Sequence, residues 1–449
     1  MGADRSQPLS GTYNLSRPRL PIRSFGFIFS SMQVRRLSLT NFRNYSRLEL
    51  DLPGGVILLH GDNAQGKTNL LEAIYFLATT RSPHASQDQQ LLNWDALLTD
   101  EPVVVGRLVA DVQKPEPDTP LHLEMRLIVE ERGNWAGNGT GGFRREALIN
   151  RRKVRLMDLL GKLRVVLFLP EDVDLATGPP VNRRRYMNVT LCQVDADYCR
   201  DLSAYNKVLE QRNALLRRMA EGQVRDSADL LQILTDKLIE PGSRVVQRRA
   251  QFLREMAYQS QEIYFQDLIG GKESLRLGYL PGWHANNRKT TGEQLSDGDW
   301  LQAEQSVGAI QERLAAELTA ARAADLARGS STVGPHRDDW AILVNGKNLG
   351  QFGSRGQVRT AILALKLAEI NWMKATTADV PILLLDEVIA ELDLHRRGAL
   401  LAYVADQVRE KEMAQALLTA TDPGMFPVEF LTEATNLLIR GGRVAVDAP

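Results

Sequence analysis

Two short stretches of this 449-residue chain have the residue types and spacing needed to bind and cleave a nucleoside triphosphate. The first is a full G-x-x-x-x-G-K-[ST] phosphate loop at residues 61–68, whose glycines let consecutive backbone N–H groups approach the phosphates. We expect Lys67 to neutralise the β- and γ-phosphates and Thr68 to bind Mg²⁺. The sequence therefore predicts ATP and Mg²⁺ as cofactors, with nucleotide contacts from Gly61, Asp62, Asn63, Ala64, Gln65, Gly66, Lys67, Thr68 and Asn69.

The second stretch is the apolar run at 382–385, which ends in Asp386 and Glu387. In α/β proteins the carboxyl ends of parallel strands open into the ligand crevice, so both carboxylates are expected at the nucleotide. Asp386 would hold the Mg²⁺ shell, and Glu387 would orient or deprotonate the attacking water. An Asp-Glu pair can also mark only the end of a strand. The catalytic interpretation of this pair therefore depends on the presence of the phosphate loop in the same chain. Together, Lys67, Asp386 and Glu387 are the predicted catalytic residues.

A third stretch, Phe-Gly-Ser-Arg-Gly-Gln at 352–357, precedes a helical pattern at 358–374. It resembles the Leu-Ser-Gly-Gly-Gln signature loop of ABC-type ATPases, with Arg355 in place of the first of the two glycines. That resemblance implies that Ser354, Gly356 and Gln357 contact the nucleotide of a second subunit, which requires an ATP-dependent homodimer. The other interpretation is a plain N-cap serine in a turn.

The ABC resemblance extends beyond the signature loop. Asp393, in Glu-Leu-Asp at 391–393, matches the D-loop that crosses the ABC dimer interface, and 416–422 resembles the switch strand. ABC proteins usually have a histidine at the switch, where this chain offers Thr421 or Asp422, so slow hydrolysis is implied. The Q-loop glutamine stays open among Gln87, Gln89 and Gln90.

The elements that position these residues can be read from the hydrophobic pattern. It predicts a helix at 67–79, a Gly/Asn-rich loop at 133–142, and a mainly helical region at 183–325 that is broken at Pro241-Gly242 and around 270–282. Strands are predicted at 34–40, 48–52, 56–60, 103–112, 122–129, 165–168 and 382–385.

This order predicts an α/β fold, namely an ABC-type P-loop ATPase head built from two sequence segments with a helical inserted lobe. The predicted division is 32–180 and 329–449 for the head and 181–328 for the lobe. We interpret residues 1–31 as a disordered extension or a mis-assigned start, because Met32 opens a strand pattern.

Composition limits the classes of partner and compartment. Basic and acidic residues both number 55, so a nucleic-acid binder would need local basic patches instead of a global positive field. No apolar run approaches the roughly 20 residues of a membrane-spanning helix. The two cysteines, Cys192 and Cys199, are expected on one helical face as reduced thiols, which is typical of a reducing, cytoplasmic compartment.

Nearly the whole chain from Met32 resembles the RecF family of ABC/SMC-type ATPases. The resemblance lies in the opening at 37–45, the phosphate loop and following helix at 61–74, Phe-Leu-Pro-Glu-Asp at 168–172, Pro180 with 183–186, and Gly-Pro-His-Arg-Asp-Asp at 334–339. One departure is His84, where the family usually has a further basic residue.

Membership of this family implies a slow, DNA-stimulated, Mg²⁺-dependent ATPase that dimerises on ATP and binds gapped DNA or single-strand/double-strand junctions. With RecR and RecO it would help to load RecA in recombinational repair, DNA replication and the SOS response. Local basic clusters at 151–153, 183–185, 217–218 and 248–249 could contact phosphates. Arg183, Arg184 and Arg185 are the candidate DNA contacts, and each cluster could equally be a solvated face.

Three other classes fit parts of the pattern. The ATPase subunit of an ABC transporter would need a membrane partner and usually has a shorter stretch between phosphate loop and signature. A P-loop kinase for a small molecule has no use for the signature at 352–357. An SMC-like DNA clamp could bind ATP without turnover, and it would function normally with Glu387→Gln.

Overall fold

The computed structural model describes residues 30–99, 101–114, 120–130, 142–224, 227–283, 306–410 and 413–446. The loop predicted at 133–142 lies outside the described residues, except for Gly142, which begins a strand. Residues 1–29 of the extension predicted at 1–31 also lie outside the described residues. Ser30 and Ser31 pair in parallel with Asp379 and Val380, so the last two residues of that predicted extension belong to the fold.

Strands and α-helices are numbered separately, each in chain order. The strands are β1 (Ser30–Ser31), β2 (Gln33–Phe42), β3 (Tyr45–Asp51), β4 (Gly55–His60), β5 (Val103–Gln113), β6 (Leu121–Glu130), β7 (Gly142–Ile149), β8 (Arg152–Val154), β9 (Val165–Phe168), β10 (Leu275–Leu280), β11 (Asp339–Val344), β12 (Lys347–Asn348), β13 (Asp379–Val380), β14 (Ile382–Leu385), β15 (Gln415–Ala420), β16 (Thr435–Arg440) and β17 (Arg443–Val446). The α-helices are α1 (Lys67–Thr79), α2 (Trp94–Leu98), α3 (Leu156–Leu159), α4 (Asp174–Thr177), α5 (Pro180–Val194), α6 (Ala196–Ala220), α7 (Ala228–Glu262), α8 (Val307–Ala320), α9 (Arg322–Arg328), α10 (Leu349–Phe352), α11 (Arg355–Thr377), α12 (Val388–Glu391), α13 (Leu394–Arg409) and α14 (Val428–Glu433).

The sheet that carries the phosphate loop combines both ends of the chain. Its order in the described residues is β17-β16-β4-β15-β14-β9, and all its pairs are parallel except β16 with β17. Along β4, Val56 and Leu58 pack into one hydrophobic core, while Ile57 and Leu59 pack into another. Because successive strand residues point to opposite faces, the sheet lies between two cores. This is the predicted α/β head built from two sequence segments.

A second, antiparallel sheet in the described residues has the order β3-β2-β5-β6-β7-β8. It shares one of the two cores with α1. Gln415 of β15 joins the two sheets at a register shift in β2: its side chain accepts a hydrogen bond from Val34 N (3.0 Å) and donates to the carbonyls of Val34 (3.0 Å) and Pro53 (2.8 Å). The backbone groups freed by the irregular strand are thereby satisfied inside the protein.

The inserted region is helical, as predicted, but the interruption predicted at Pro241-Gly242 is wrong. Helix α7 continues through Pro241 from residue 228 to residue 262. Ser243 Oγ donates to the carbonyl of Ile239 (2.7 Å), and a Cβ on Gly242 would come within 3.2 Å of the Tyr205 ring and 3.1 Å of Leu314. Close packing across a buried face therefore holds α7 together despite its proline.

The second predicted break, around 270–282, is confirmed: the helical run ends at Leu268, and a strand follows. Residues 275–280 form β10, which pairs antiparallel with β11. Before it, α7 ends in a π-helical turn over Ile263–Leu268. Extended π turns are rare and frequently mark functional sites.

The two cysteines lie on different helices, so the prediction of one helical face is wrong. Cys192 is near the end of α5, and Cys199 is in the first turn of α6. Asp195 separates them, because its carboxylate caps α6 by accepting from the N–H groups of Asp197 and Tyr198 (both 2.9 Å). Both thiols are free.

Within the described ranges, no helix combines the length and the apolar character required to cross a bilayer.

Candidate functional site

The phosphate loop joins β4 to α1 through two glycines with backbone angles that disfavour side chains. Gly61 has φ +140°, and a Cβ there would lie 2.4 Å from the carbonyl oxygen of Ile439. Gly66 has φ +114°, and its Cβ would lie 2.6 Å from Asn44 Nδ2. The loop thus keeps its backbone N–H groups at the N-terminus of α1, where anions bind favourably.

The loop is held from outside by residues that sequence reasoning did not assign to the site. Asn44 Nδ2 donates to the carbonyl of Gln65 (2.9 Å), and Tyr45 OH donates to that of Gly66 (3.0 Å). Gly441 N donates to Gln65 Oε1 (2.7 Å). Asn44 and Tyr45 occur in the family-like opening of the chain, which is the only sequence signal for their role.

Lys67 is placed as predicted, inside the phosphate loop. Its Nζ donates to the carbonyls of Gly61 (2.8 Å) and Asp62 (3.0 Å) and lies 3.2 Å from Glu387 Oε1. The Lys67 side chain is only 3% exposed. A buried cation therefore lies inside the loop with one carboxylate opposite it, and its contact with the phosphates of a nucleotide stays a prediction.

Thr68 and Asp386, 318 positions apart in sequence, meet at the carboxyl end of the central sheet: Thr68 Oγ1 donates to Asp386 Oδ1 over 2.9 Å. Thr419 of β15 donates to the same oxygen (2.7 Å) and accepts from Glu387 N (2.8 Å). Burial raises the pKa of Asp386, and the two hydroxyl donors oppose that rise. A hydroxyl and a carboxylate are the hard oxygen donors that Mg²⁺ prefers, so this pair fits the predicted ion.

Thr419 was missed as a site residue, although it lies in the stretch that resembles the switch strand. Of the two predicted substitutes for the switch histidine, Asp422 caps a turn by accepting from Gly424 N (2.8 Å), and Thr421 is exposed. Among the Q-loop candidates, Gln90 accepts a local hydrogen bond from Ser86 N (3.0 Å). The choice among Gln87, Gln89 and Gln90 stays open.

The signature loop starts α11, with Ser354 as its N-cap. Ser354 Oγ accepts from Gln357 N (3.2 Å), and Gln357 Oε1 accepts from Ser354 N (2.9 Å), which is a reciprocal capping box. Gln357 Nε2 also donates to Glu273 Oε1 (2.8 Å). The capping interpretation is thus correct, and a second role of Ser354 and Gly356 toward another subunit stays a prediction.

The D-loop is attached to the signature helix. Arg359 of α11 donates to the carbonyl of Glu391 (2.8 Å) and pairs with its carboxylate. Asp393 caps α13 by accepting from Arg396 N (3.0 Å), and this backbone hydrogen bond is the main cause that lowers the pKa of Asp393. In the described part of the chain, no hydrogen bond or ion pair joins 352–357 or 391–393 to the phosphate loop. The signature and D-loop surface is therefore separate from the phosphate loop within one chain.

The predicted DNA-contacting arginines differ in availability. Arg183 is 9% exposed, and its guanidinium donates to both carboxylate oxygens of Asp339 (2.6 and 3.0 Å), so it serves the fold. Arg184 and Arg185 donate to the backbone carbonyls of Asp338 and Ser82 and make no carboxylate ion pair among the described residues. For these two, a DNA contact stays a prediction.

Comparison with known proteins agrees with this geometry. The family model described as the RecF/RecN/SMC N-terminal domain matches residues 33–429. A DNA replication and repair protein RecF of Chloroflexus aggregans is 39% identical over 415 residues, which cover 92% of this chain and 99% of that protein. The RecF of Enterococcus faecalis is 33% identical over 414 residues, covering 92% of this chain and 98% of that protein. A solved structure of the recombination mediator protein RecF with ATP, of the RecFOR pathway, is 30% identical, has a TM-score of 0.75, and covers 93% of this chain and 98% of that chain.

Proposed function

This chain belongs to the RecF family of DNA replication and repair proteins, and on that premise we propose that it is an ATP-dependent DNA-binding protein of recombinational repair. In this proposal it dimerises on ATP, binds gapped DNA or single-strand/double-strand junctions, and with RecR and RecO helps to load RecA in the cytoplasm, also during the SOS response. The observation that carries the proposal is the hydrogen bond between Thr68 and Asp386, which brings the phosphate loop and the Asp-Glu pair into one site.

ATP binding would exchange the partners of Lys67. Its Nζ now bonds two loop carbonyls and lies 3.2 Å from Glu387. Phosphate oxygens carry more negative charge than a carbonyl, so they would take over this cation. Glu387 would then be free to hold the attacking water, while its backbone stays anchored to Thr419.

Thr68 and Asp386 are the proposed Mg²⁺ ligands, and the ion, when bound, would neutralise charge on the β- and γ-phosphates. Thr419 would keep the Asp386 carboxylate in one orientation through its 2.7 Å hydrogen bond. Because the switch position has no histidine, we propose that hydrolysis is slow and that DNA stimulates it.

The signature and D-loop surface is the proposed site for the nucleotide of a second copy of this chain. Phe352 and Leu394, beside the two loops, are 70% and 83% exposed. Large apolar side chains left this open are typical of surfaces that become covered on association.

The proposed division of the chain is 32–180 and 329–449 for the head and 181–328 for the lobe.

Sedimentation velocity with and without ATP and a gapped duplex tests nucleotide, dimer and DNA together. We expect a monomer without ATP, a dimer with ATP, and comigration of the dimer with the duplex. A protein that stays monomeric with saturating ATP, or that does not comigrate with DNA, would contradict the proposal.

A further inference from the structure

A cleft of about 730 Å³ lies between the head and the helical lobe, and no residue of the phosphate loop lines it. One wall contains the end of α1, a residue of β7 and the short helix α3, and the other is formed by α5 and α6. Six basic side chains line it, namely Arg81, Arg145, Arg184, Arg185, Lys207 and Arg249, against one carboxylate, that of Glu210. The cleft is therefore strongly positive although the whole chain has no net charge.

Only two of these six cations have a carboxylate partner among the described residues. Arg145 lies 2.7 Å from Asp88, and Arg249 lies 2.7 Å from Asp338. Arg184 and Arg185 bond only backbone carbonyls, and in the described part of the chain neither Arg81 nor Lys207 makes an ion pair. Four positive charges are thus gathered at one concave surface without an ion pair among the described residues, and Glu210 is the one carboxylate in the lining.

Arg184 shows that a cation of the cleft without a carboxylate partner is destabilised. It is half-buried, and burial, followed by the charge of Arg249, lowers the pKa of its guanidinium. A cation removed from water without a carboxylate partner is destabilised, so a bound anion would relieve it. The first turn of α5 also lines the cleft at Val181 and adds the positive end of a helix dipole.

We propose that this cleft between head and lobe binds phosphodiester groups of a nucleic-acid backbone. Arginine matches phosphate with two parallel N–H donors, and lysine adds a mobile point charge. The lining aromatic ring, Tyr205, is buried and bonded to His336, so it offers no platform for stacking bases. Recognition would therefore be independent of sequence and strongly dependent on salt.

The proposal rests on the proposed DNA binding and assigns it a place. The candidate DNA contacts are the consecutive residues 183–185. Of these, Arg184 and Arg185 line the cleft and Arg183 does not, while Arg81 and Lys207, from other parts of the chain, also line it. The phosphates could come from a single strand, from a duplex, or from free phosphate, and the experiment separates these sources.

The test measures the affinity of the full chain for a labelled gapped duplex, a single strand and an intact duplex by fluorescence anisotropy across a salt series. Arg81→Ala and Lys207→Ala remove exposed cations of the cleft. Arg200→Ala is the matched control, since Arg200 is an exposed cation on the same helix as Lys207 but lies outside the cleft and outside the basic clusters named from the sequence.

We expect each cleft variant to reduce the slope of log K against log salt by about 0.7 to 0.9 for at least one of the three nucleic acids, and Arg200→Ala to leave it unchanged. ATP affinity should stay as in the wild type. The nucleic acid whose slope changes identifies the source of the phosphates.

Two results would overturn the assignment. Cleft variants that behave like Arg200→Ala while the wild type binds DNA would place the DNA elsewhere and leave the proposed function intact. Displacement of the labelled strand by inorganic phosphate at matched ionic strength would make the cleft a site for free phosphate. A wild type that binds none of the three nucleic acids would instead reject the proposed function itself.

Discussion

Glu273, in the loop that follows the π-helical turn of the lobe, accepts a 2.8 Å hydrogen bond from Gln357 of the signature loop. Its other carboxylate oxygen accepts from Tyr264 OH, in that same turn (2.7 Å). One carboxylate therefore connects the end of the 35-residue helix α7 to the surface proposed to receive a second subunit's nucleotide. A change in the position of the lobe would therefore move the hydrogen-bond acceptor of Gln357.

Replacing Glu273 with Ala should weaken ATP-driven dimerisation by about tenfold, because a hydrogen bond to a charged acceptor contributes roughly 1.5 kcal/mol. The monomer's ATP affinity should not change, since the phosphate loop is untouched. Sedimentation across a protein series measures the first quantity, and nucleotide titration measures the second. Lys272→Ala is the neighbouring control. Equal dimerisation of the two variants would mean that Glu273 has no influence on the signature loop.

Lys67→Ala should reduce ATP affinity by about 100-fold or more, because the buried ammonium is the expected partner of the β- and γ-phosphates. Isothermal titration with a slowly hydrolysed ATP analogue measures this, and the conservative Lys67→Arg should retain part of the affinity. Near-normal affinity of the alanine variant would reject the phosphate-loop assignment.

Glu387→Gln should keep ATP binding and lose most of the hydrolysis, since only the residue facing the water changes. It also removes the carboxylate that lies 3.2 Å from Lys67, so ATP affinity should equal or slightly exceed that of the wild type. The ATP-bound dimer should then last longer on DNA. The rate of phosphate release measures hydrolysis, and dissociation kinetics measure the lifetime of the dimer on DNA. The control is Glu429→Gln, which makes the same substitution at an exposed position outside the site. Normal turnover would exclude Glu387 from catalysis.

The stability of the head–lobe junction should depend on the pH through His336. Burial lowers the pKa of His336 from 6.5 to about 4, and its ring nitrogens lie 2.7 Å from Tyr205 OH and 3.0 Å from the Ser331 carbonyl oxygen. Below pH 6.5 the unfolded chain therefore takes up a proton that the folded chain refuses until about pH 4. The stability contributed by neutral His336 is present above pH 6.5 and is lost progressively as the pH falls toward 4.

Urea unfolding at pH 7 and pH 5 tests this linkage. Between these values the wild type should lose about 2 kcal/mol more than His336→Gln, which has no imidazole to protonate. Asp338 and Glu369, whose pKa values burial raises, act in the opposite sense but are present in both proteins. Equal losses in the two proteins would show that His336 is not kept neutral by the fold.

The meeting of the phosphate loop with Asp386 and Glu387 could be predicted because these residues occur in contiguous patterns. Lys67 follows a glycine loop, and Asp386 and Glu387 end an apolar strand, so local sequence fixes their chemistry. Thr419 and Glu273 act through contacts across 33 and 84 positions, and such partners leave no spacing signal. The break predicted at Pro241 failed for a related reason, since tertiary packing outweighs local helix propensity there.

The proposal that Ser354 acts on a second subunit can be separated from its capping role. Ser354→Arg should spare ATP binding by the monomer but block ATP-driven dimerisation, because a bulky cation would occupy the surface meant for the other nucleotide. Ser354→Asp is the control for capping, since aspartate is an equally good N-cap. It should preserve the melting temperature while still placing a repelling charge beside the phosphates.

Mixing Ser354→Arg with Lys67→Ala then tests whether the site is shared between two chains. In a mixed dimer, one composite site takes both defects and the other consists of two intact halves. The mixture should therefore recover part of the ATP-dependent dimer that neither variant forms alone, as measured by crosslinking or sedimentation. Recovery should be incomplete, because one occupied site stabilises the dimer less than two. If Ser354→Arg instead abolishes monomer ATP binding and mixing restores nothing, Ser354 is only the N-cap of its helix, and the shared-site dimer loses its main support.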